Sequence, residues 1–340
     1  MARFFAYLLQ WFLIGLLMLS VPYAIAAQDI SPAQIKKNTA ELIKRAESGD
    51  AQSQYALGLV YRYGIGVTRD AVLASVWFRK AAEQGNADAQ YWLGVMYVAG
   101  QGVQQDDSEA ERWFHKAAEQ GHAGAQYNLA LAYAKGEGVP KDNVEAARWL
   151  RKAAEQGDAQ AQYALGMEYS NGEGVPKDET EAMRWCRKAA EQGNAKAQTA
   201  LGYAYHSGEG VSKDDAEAAR WLRKAAEQGY EMAQYDLALA YSNGEGVSKD
   251  DAEAARWLRK AAEQGDEQAQ YDLGLAYSNG WGVPTDEVEA YFWLNLGASG
   301  LDEKARSTRD KVGETLTPAK RLEIQERCRK WAETHSPTRN

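Results

Sequence analysis

The chain has 340 residues, a formal net charge of -9 and two cysteines, Cys186 and Cys328. No stretch concentrates Lys and Arg, so nothing in it offers the electrostatic footprint that a nucleic-acid backbone requires. Two cysteines exclude a disulfide scaffold and every multi-cysteine metal site, and their four-repeat separation argues against a bond between them.

In chain order, Arg3 gives a positive start, Trp11 to Leu19 is apolar, Pro22 breaks the run and Ala24-Ile25-Ala26 offers small residues for cleavage. This predicts a secretory signal over residues 1–26 and a protein that is periplasmic or secreted. The alternative is an anchor kept in place, because Phe4 to Ala27 is just long enough to span about 30 Å of bilayer. No later apolar run approaches that length. Residues 27–50 are expected to hold a helix, ending near Lys44 to Asp50, that caps the front of the helical region beginning at Ala51.

Tryptophans then fall at 77, 113, 149, 185, 221, 257 and 293, an unbroken spacing of 36 residues. Aligned on them, residues 51–302 divide into seven units: 51–86, 87–122, 123–158, 159–194, 195–230, 231–266 and 267–302. In the fourth, Gln162, Leu165, Gly166 and Tyr169 recur at i, i+3, i+4 and i+7, and so do Ala182, Trp185, Cys186 and Ala189. Each unit therefore predicts two amphipathic helices.

The run Asn171 to Asp178 between them is rich in glycine and proline, which end the first helix. Asp178 is placed to cap the second, with Glu181 three residues on completing a capping box; the same Asp-x-x-Glu stands at 106, 142, 214, 250 and 286. A glycine ends each second helix, usually before an Asn or Asp able to cap the next.

A hairpin this small cannot bury its apolar face alone, so each must pack against its neighbours. Gly58, Gly94, Ala130, Gly166, Gly202, Ala238 and Gly274 are expected to let helices approach closely. Residues 303–335 predict closing helices, the last after Thr317-Pro318 with Ile324, Cys328 and Trp331 on one face; residues 336–340 form a tail.

The recurring Ala-x-Ala-Gln-Tyr-x-Leu-Gly-x-x-Tyr, then Gly-x-Gly-Val, then Ala-x-x-Trp-x-x-Lys-Ala-Ala-Glu-Gln-Gly, resembles the Sel1-like repeat, a relative of the tetratricopeptide repeat, over residues 41–302. The resemblance implies an all-α, right-handed α–α superhelix (a solenoid) of seven 36-residue hairpins with N- and C-terminal capping helices. It also implies an adaptor or scaffold, without catalysis or cofactor, that holds a protein or peptide ligand in a concave groove lined by the first helices. Two alternatives remain open. One is a hydrolase of cell-wall or β-lactam-like substrates, suggested by a cysteine-rich branch of the family whose paired cysteines this chain lacks. The other is an anchored regulator of an envelope sensor.

On that implied face the fourth unit presents Gln160, Tyr163, Met167, Ser170 and Asn171. Its equivalents change along the chain: Arg62 and Tyr63, Val95 and Val98, Leu131 and Lys135, Tyr203 and His206, Asn243, Asn279. A face used only for packing would vary less. Tyr55, Tyr91, Tyr127, Tyr163, Tyr235 and Tyr271 form a ladder whose rings suit either ligand contact or packing between units.

Trp92 replaces Ala56, Asn128, Ala164, Ala200, Asp236 and Asp272, which read as solvent-facing, and Trp281 replaces loop residues such as Glu245. Both are candidate anchors, although Trp281 is equally placed to pack onto Tyr291 or the C-terminal cap; the loss of Trp92 should spare stability. The Gly-Glu-Gly loops follow no strand and lack the Gly-Lys-Ser/Thr of a phosphate cradle. The histidines at 115, 122, 206 and 335 have no zinc spacing and read as surface residues, and no nucleophile motif occurs. No catalytic or metal-binding residue is therefore expected.

Overall fold

The computed structural model describes residues 32–298 and 303–335. The expected signal and the tail lie outside the described residues. Within them every element is a helix. Helix α1 (Pro32–Glu47) precedes seven hairpins: α2 (Ala51–Tyr63) with α3 (Ala71–Glu83), α4 (Ala87–Ala99) with α5 (Asp107–Glu119), α6 (Ala123–Lys135) with α7 (Asn143–Glu155), α8 (Ala159–Asn171) with α9 (Glu179–Glu191), α10 (Ala195–Ser207) with α11 (Asp215–Glu227), α12 (Glu231–Asn243) with α13 (Asp251–Gln264), and α14 (Glu267–Asn279) with α15 (Glu287–Gly297). Helices α16 (Glu303–Glu314) and α17 (Pro318–His335) close the order. Among the described residues no helix is long and apolar enough to cross a membrane.

The chain forms two compact bodies that divide inside the fourth hairpin. One holds the described residues up to Ala161 with Glu173–Val175; the other holds Gln162–Gly172 and the described residues from Pro176 onward. In the first, α1 to α7 pack each on the next; in the second, α9 to α15 do the same, and α15 also carries α16 and α17.

Helix starts agree closely with the sequence. Each second helix is capped by its aspartate, as where Asp214 Oδ1 accepts from the backbone N–H groups of Ala216 and Glu217 at 3.0 Å. The expected capping box, however, is not completed. The cap's own N–H already donates to a tyrosine carbonyl of the first helix, Asp214 to Tyr205 at 2.8 Å and Asp250 to Tyr241 at 3.0 Å. The glutamate three residues on is thus left to pair with an arginine: Glu109 with Arg112, Glu145 with Arg148, Glu181 with Arg184, Glu217 with Arg220 and Glu253 with Arg256.

The two members of the motif should therefore separate energetically. Asp214→Ala is expected to cost about 1 kcal/mol in urea denaturation, whereas Glu217→Ala, which removes only a solvent-screened pair, should stay within about 0.5 kcal/mol. Equal costs would restore the capping box.

Packing within a hairpin depends on the small residues of the first helix. A Cβ on Gly94 would lie 2.7 Å from the Phe114 ring, and one on Gly202 would lie 2.7 Å from Leu222 Cγ. Beneath these contacts runs a polar ladder at the positions of Gln162. Each of these glutamines is almost fully buried: Gln54, Gln90, Gln126, Gln162, Gln198, Gln234 and Gln270. In the fifth hairpin Gln198 Nε2 donates to the Ala190 carbonyl at 3.0 Å, and Gln198 Oε1 accepts from Gln228 Nε2 at 2.8 Å. One side chain thus ties the end of the preceding hairpin to the second helix of its own.

At the C-terminal end, Ile324 and Cys328 of α17 are buried against Phe292 and Trp293, with half-buried Trp331 beside them, and Arg327 sits over the Phe292 ring. Both cysteines are free and buried. Burial pushes the Cys186 thiol up to about 12 and also raises that of Cys328, so neither presents a ready thiolate.

Candidate functional site

The sequence variation collects on one face of the first helices. Their Gln, Leu and Gly or Ala positions are buried hairpin after hairpin, while from the second hairpin onward the positions of Trp92 and Val95 stay half or fully exposed. In the first body this face is aromatic. Trp92 stacks on Phe78 with ring centroids 6.3 Å apart, meets Tyr63 edge-on at 6.5 Å and Tyr91 at 5.5 Å, and lies under the Arg62 guanidinium at 4.5 Å.

The expectation that this position faces solvent is therefore corrected. Ala56 is buried and Trp92 half-buried, because the fifth residue beyond the start of a first helix looks toward the preceding hairpin. Trp92 is built into the junction of the first two hairpins, and its removal will cost stability after all. Tyr63, in contrast, is exposed.

The tyrosine ladder is graded. Tyr55 is buried, which pushes its hydroxyl up to about 12. Tyr91, Tyr127 and Tyr163 are half-buried and raised by the same cause. His122 departs from the surface role expected of it: its Nδ1 accepts from the Ala125 N–H at 3.0 Å, which makes it the cap of α6, and its ring stacks on Tyr91 at 4.5 Å. Lys135 is exposed and pairs with Glu137 at 3.5 Å.

In the second body the face turns polar. The ladder is interrupted at Thr199, and a tyrosine stands one turn further on, at Tyr203. Tyr203 is 44% exposed and its hydroxyl donates to Asp236 Oδ2 at 2.5 Å. One hairpin later Tyr235 donates to Asp272 at 2.9 Å, and Tyr271 reaches Thr308 of α16 at 3.5 Å. His206 Nδ1 lies 3.0 Å from Asp215 Oδ1. Asn171, Asn243 and Asn279 are exposed at the ends of their helices, and Trp281 is 54% exposed in the loop between α14 and α15.

Between α10, α11, α12 and the loop after α12 a cleft of about 150 Å³ opens. Tyr203, His206, Asp215, Leu222, Asp236, Leu239 and Glu245 are among its walls. The structure thus brings Tyr203 and His206 together, as the sequence implied, and adds four side chains that sequence reasoning passed over: Asp215, Asp236, Leu239 and Glu245. The signal available for Asp236 was the replacement of an alanine by a carboxylate at a position facing the preceding hairpin. Among the described residues no three His, Cys, Asp or Glu side chains form a group able to hold a metal.

Burial raises the Asp236 carboxyl above its ordinary value, and the nearby Asp266 adds to the effect, against the lowering hydrogen bond from Tyr203. In the unfolded chain Asp236 titrates in the ordinary carboxylate range. Below that range both states hold the proton and this group costs nothing; as pH rises through the folded value, its contribution to stability is lost. Asp236→Asn is expected to raise the melting temperature at pH 7 relative to the parent chain, and the gain should vanish near pH 3. A gain of equal size at both pH values would exclude this cause.

Fold and site together define an all-helical tandem-repeat protein whose packing positions repeat while one exposed face diversifies. The Sel1 repeat model matches residues 51–86, 87–122, 123–158, 159–194, 195–230, 231–266 and 267–300, and the chain belongs to the Sel1 repeat family. Among solved structures it is similar to a Sel1 repeat protein from Oxalobacter formigenes, at 36% identity over 84% of this chain and 82% of that one, with a TM-score of 0.68. It is also similar to a protective antigen present in uropathogenic Escherichia coli strains that displays the same repeat fold, at 33% identity over 89% of this chain and 73% of that one, with a TM-score of 0.55. The comparison with curated proteins returns no match.

Proposed function

We propose that this protein is an exported scaffold that binds a peptide or protein partner along the face of its first helices, by complementary shape and aromatic and polar anchors. The observation that carries this reading is the contrast between constancy and change in the same helices. Gln, Leu and Gly or Ala recur beneath every hairpin, whereas the more open positions run from half-buried Arg62 and exposed Tyr63 through Val98 and Lys135 to Asn171, Tyr203, His206, Asn243 and Asn279. Nothing in hairpin packing requires that variation, and a surface matched to a partner does. The free, buried and raised cysteine thiols add nothing toward a hydrolase.

Export is supported by the residue pattern of the first 26 positions and by the likeness to a protective antigen. Mass spectrometry of the purified native protein is expected to place the N-terminus near Ala27; an intact Met1 would favour the anchored reading.

Binding is tested by capture from the native envelope and secretome, comparing the parent chain with a variant carrying Tyr63→Ala, Lys135→Ala and Tyr203→Ala. A partner retained by the parent and lost by the folded variant supports the reading. Equal retention by both would place binding elsewhere.

A further inference from the structure

The cleft beside α10 combines three features that point to one kind of ligand. It is about 150 Å³ in volume, the size of cavity that admits a benzene-sized group. The fifth hairpin opens it with a small side chain: Ala219 stands where the preceding hairpin has Met183, which packs beneath the next loop so closely that a Cβ on Gly210 would lie 2.9 Å from Met183 Cγ.

Its walls divide by chemistry. Leu222 and Leu239 supply apolar surface, Tyr203 an exposed aromatic ring, and Asp215, Asp236 and Glu245 three carboxylates. Among the described residues neither Asp236 nor Glu245 is paired with a cation. Asp236 accepts only from the Tyr203 hydroxyl, and Glu245 accepts from Asn243 Nδ2 at 3.3 Å. Asp215 faces His206 and, at 3.7 Å, the exposed Lys213.

We propose that this cleft receives an arginine side chain of the bound peptide, its methylenes against Leu222 and Leu239 and its guanidinium against the exposed Tyr203 ring, facing the carboxylates of Asp236, Asp215 and Glu245. Asp236, a half-buried carboxylate without a cation, is compensated by a ligand that brings one. The three do not converge into a group that holds a metal ion, whereas a guanidinium spreads five donors over a flat fork and reaches acceptors set apart from each other. It also stacks on an aromatic ring while remaining charged, which suits Tyr203 better than an ammonium does.

This inference rests on the proposed role of the first-helix face as a peptide-binding surface and names the chemistry at one point of it. N-acetyl-arginine amide, titrated into the full-length mature protein and followed by ¹H–¹⁵N NMR, is expected to give saturable shifts at the backbone amides of Tyr203, Asp236 and Leu239. Asp236→Asn should weaken that binding at least about tenfold, and Glu245→Gln, on an exposed loop that tolerates change, should weaken it several-fold. Glu227→Gln, at the far end of α11, should leave it unchanged.

The proposal is overturned if N-acetyl-norleucine amide binds equally well, if the shifts fail to saturate and spread over all surface carboxylates, or if both cleft variants bind as the parent does. Saturable arginine binding with no partner lost on mutating the wider face would leave the cleft standing and remove the scaffold reading. The reverse pattern would remove the cleft alone.

Discussion

Gly246→Ala is expected to destabilise the protein by about 3 kcal/mol or more. Two costs add at this residue. Its φ of +66° lies in the left-handed region, where an alanine loses roughly 1–2 kcal/mol. A Cβ there would also lie 1.8 Å from the Asp215 carbonyl oxygen, the backbone at the start of α11 in the preceding hairpin. Since that atom is backbone and not a flexible side chain, the loop or the helix must move.

Gly229→Ala isolates the first cost. Its φ is +89° and nothing lies within 4 Å of the added carbon, so about 1 kcal/mol is expected. Urea unfolding of the two variants under identical conditions makes the comparison. Similar losses would show that the loop does not rest on its neighbour. Because neighbouring hairpins stabilise each other, the Gly246 variant should also broaden or split the transition, as a weakened interface uncouples the array.

Gln198→Ala is expected to cost about 3 kcal/mol, a large loss for a polar residue. Gln198 is 4% exposed, and its removal strips the Ala190 carbonyl of its side-chain donor, leaves the Gln228 amide only its longer bond to the Lys224 carbonyl and opens a cavity. Gln228 is exposed and recovers water when its partner is lost, so Gln228→Ala should cost under about 1 kcal/mol. The double variant should then be less destabilised than the sum of the two, the mark of a shared bond. Strict additivity, or a loss below about 1 kcal/mol for Gln198→Ala alone, would mean that this glutamine ladder fills space without tying hairpins together.

These two residue classes were legible to different degrees. The loop glycines announce themselves by recurrence, and their role as helix terminators comes from glycine's backbone freedom. That one of them must also be bare so that the preceding helix can seat on it is a fact about two hairpins, and no single unit contains it. The glutamines sit on the apolar stripe of each first helix and read there as ordinary members of the repeat. Only packing shows that they carry hydrogen bonds in both directions. Asp214 and Glu217 illustrate the same limit, since the motif predicts a reciprocal box and the cap's N–H is instead used by the Tyr205 carbonyl.

The candidate face shows where pattern reasoning runs out. Comparison of equivalent positions singled out Trp92, Tyr203, His206 and Trp281 by their departure from the repeat. It left Trp281 between the open and the C-terminal cap, and Trp281 is exposed; it read the position of Trp92 as solvent-facing, and Trp92 is half-buried. The position of Trp92 is alanine or asparagine in several hairpins, and small or polar residues look exposed whether they face solvent or a closely packed neighbour.

The sequence by itself determined the helix boundaries, the hairpin count, the caps and the buried stripe, because each arises from spacing and local backbone preference within about forty residues. Tertiary structure alone decided which variable residues stand free and which lock two hairpins together. It also decided that Asp236, far from its partners in sequence, lies beneath Tyr203 at the edge of a cleft. Such pairings arise where one hairpin leans on the next, so they depend on the distance and angle between helices that share no local signal.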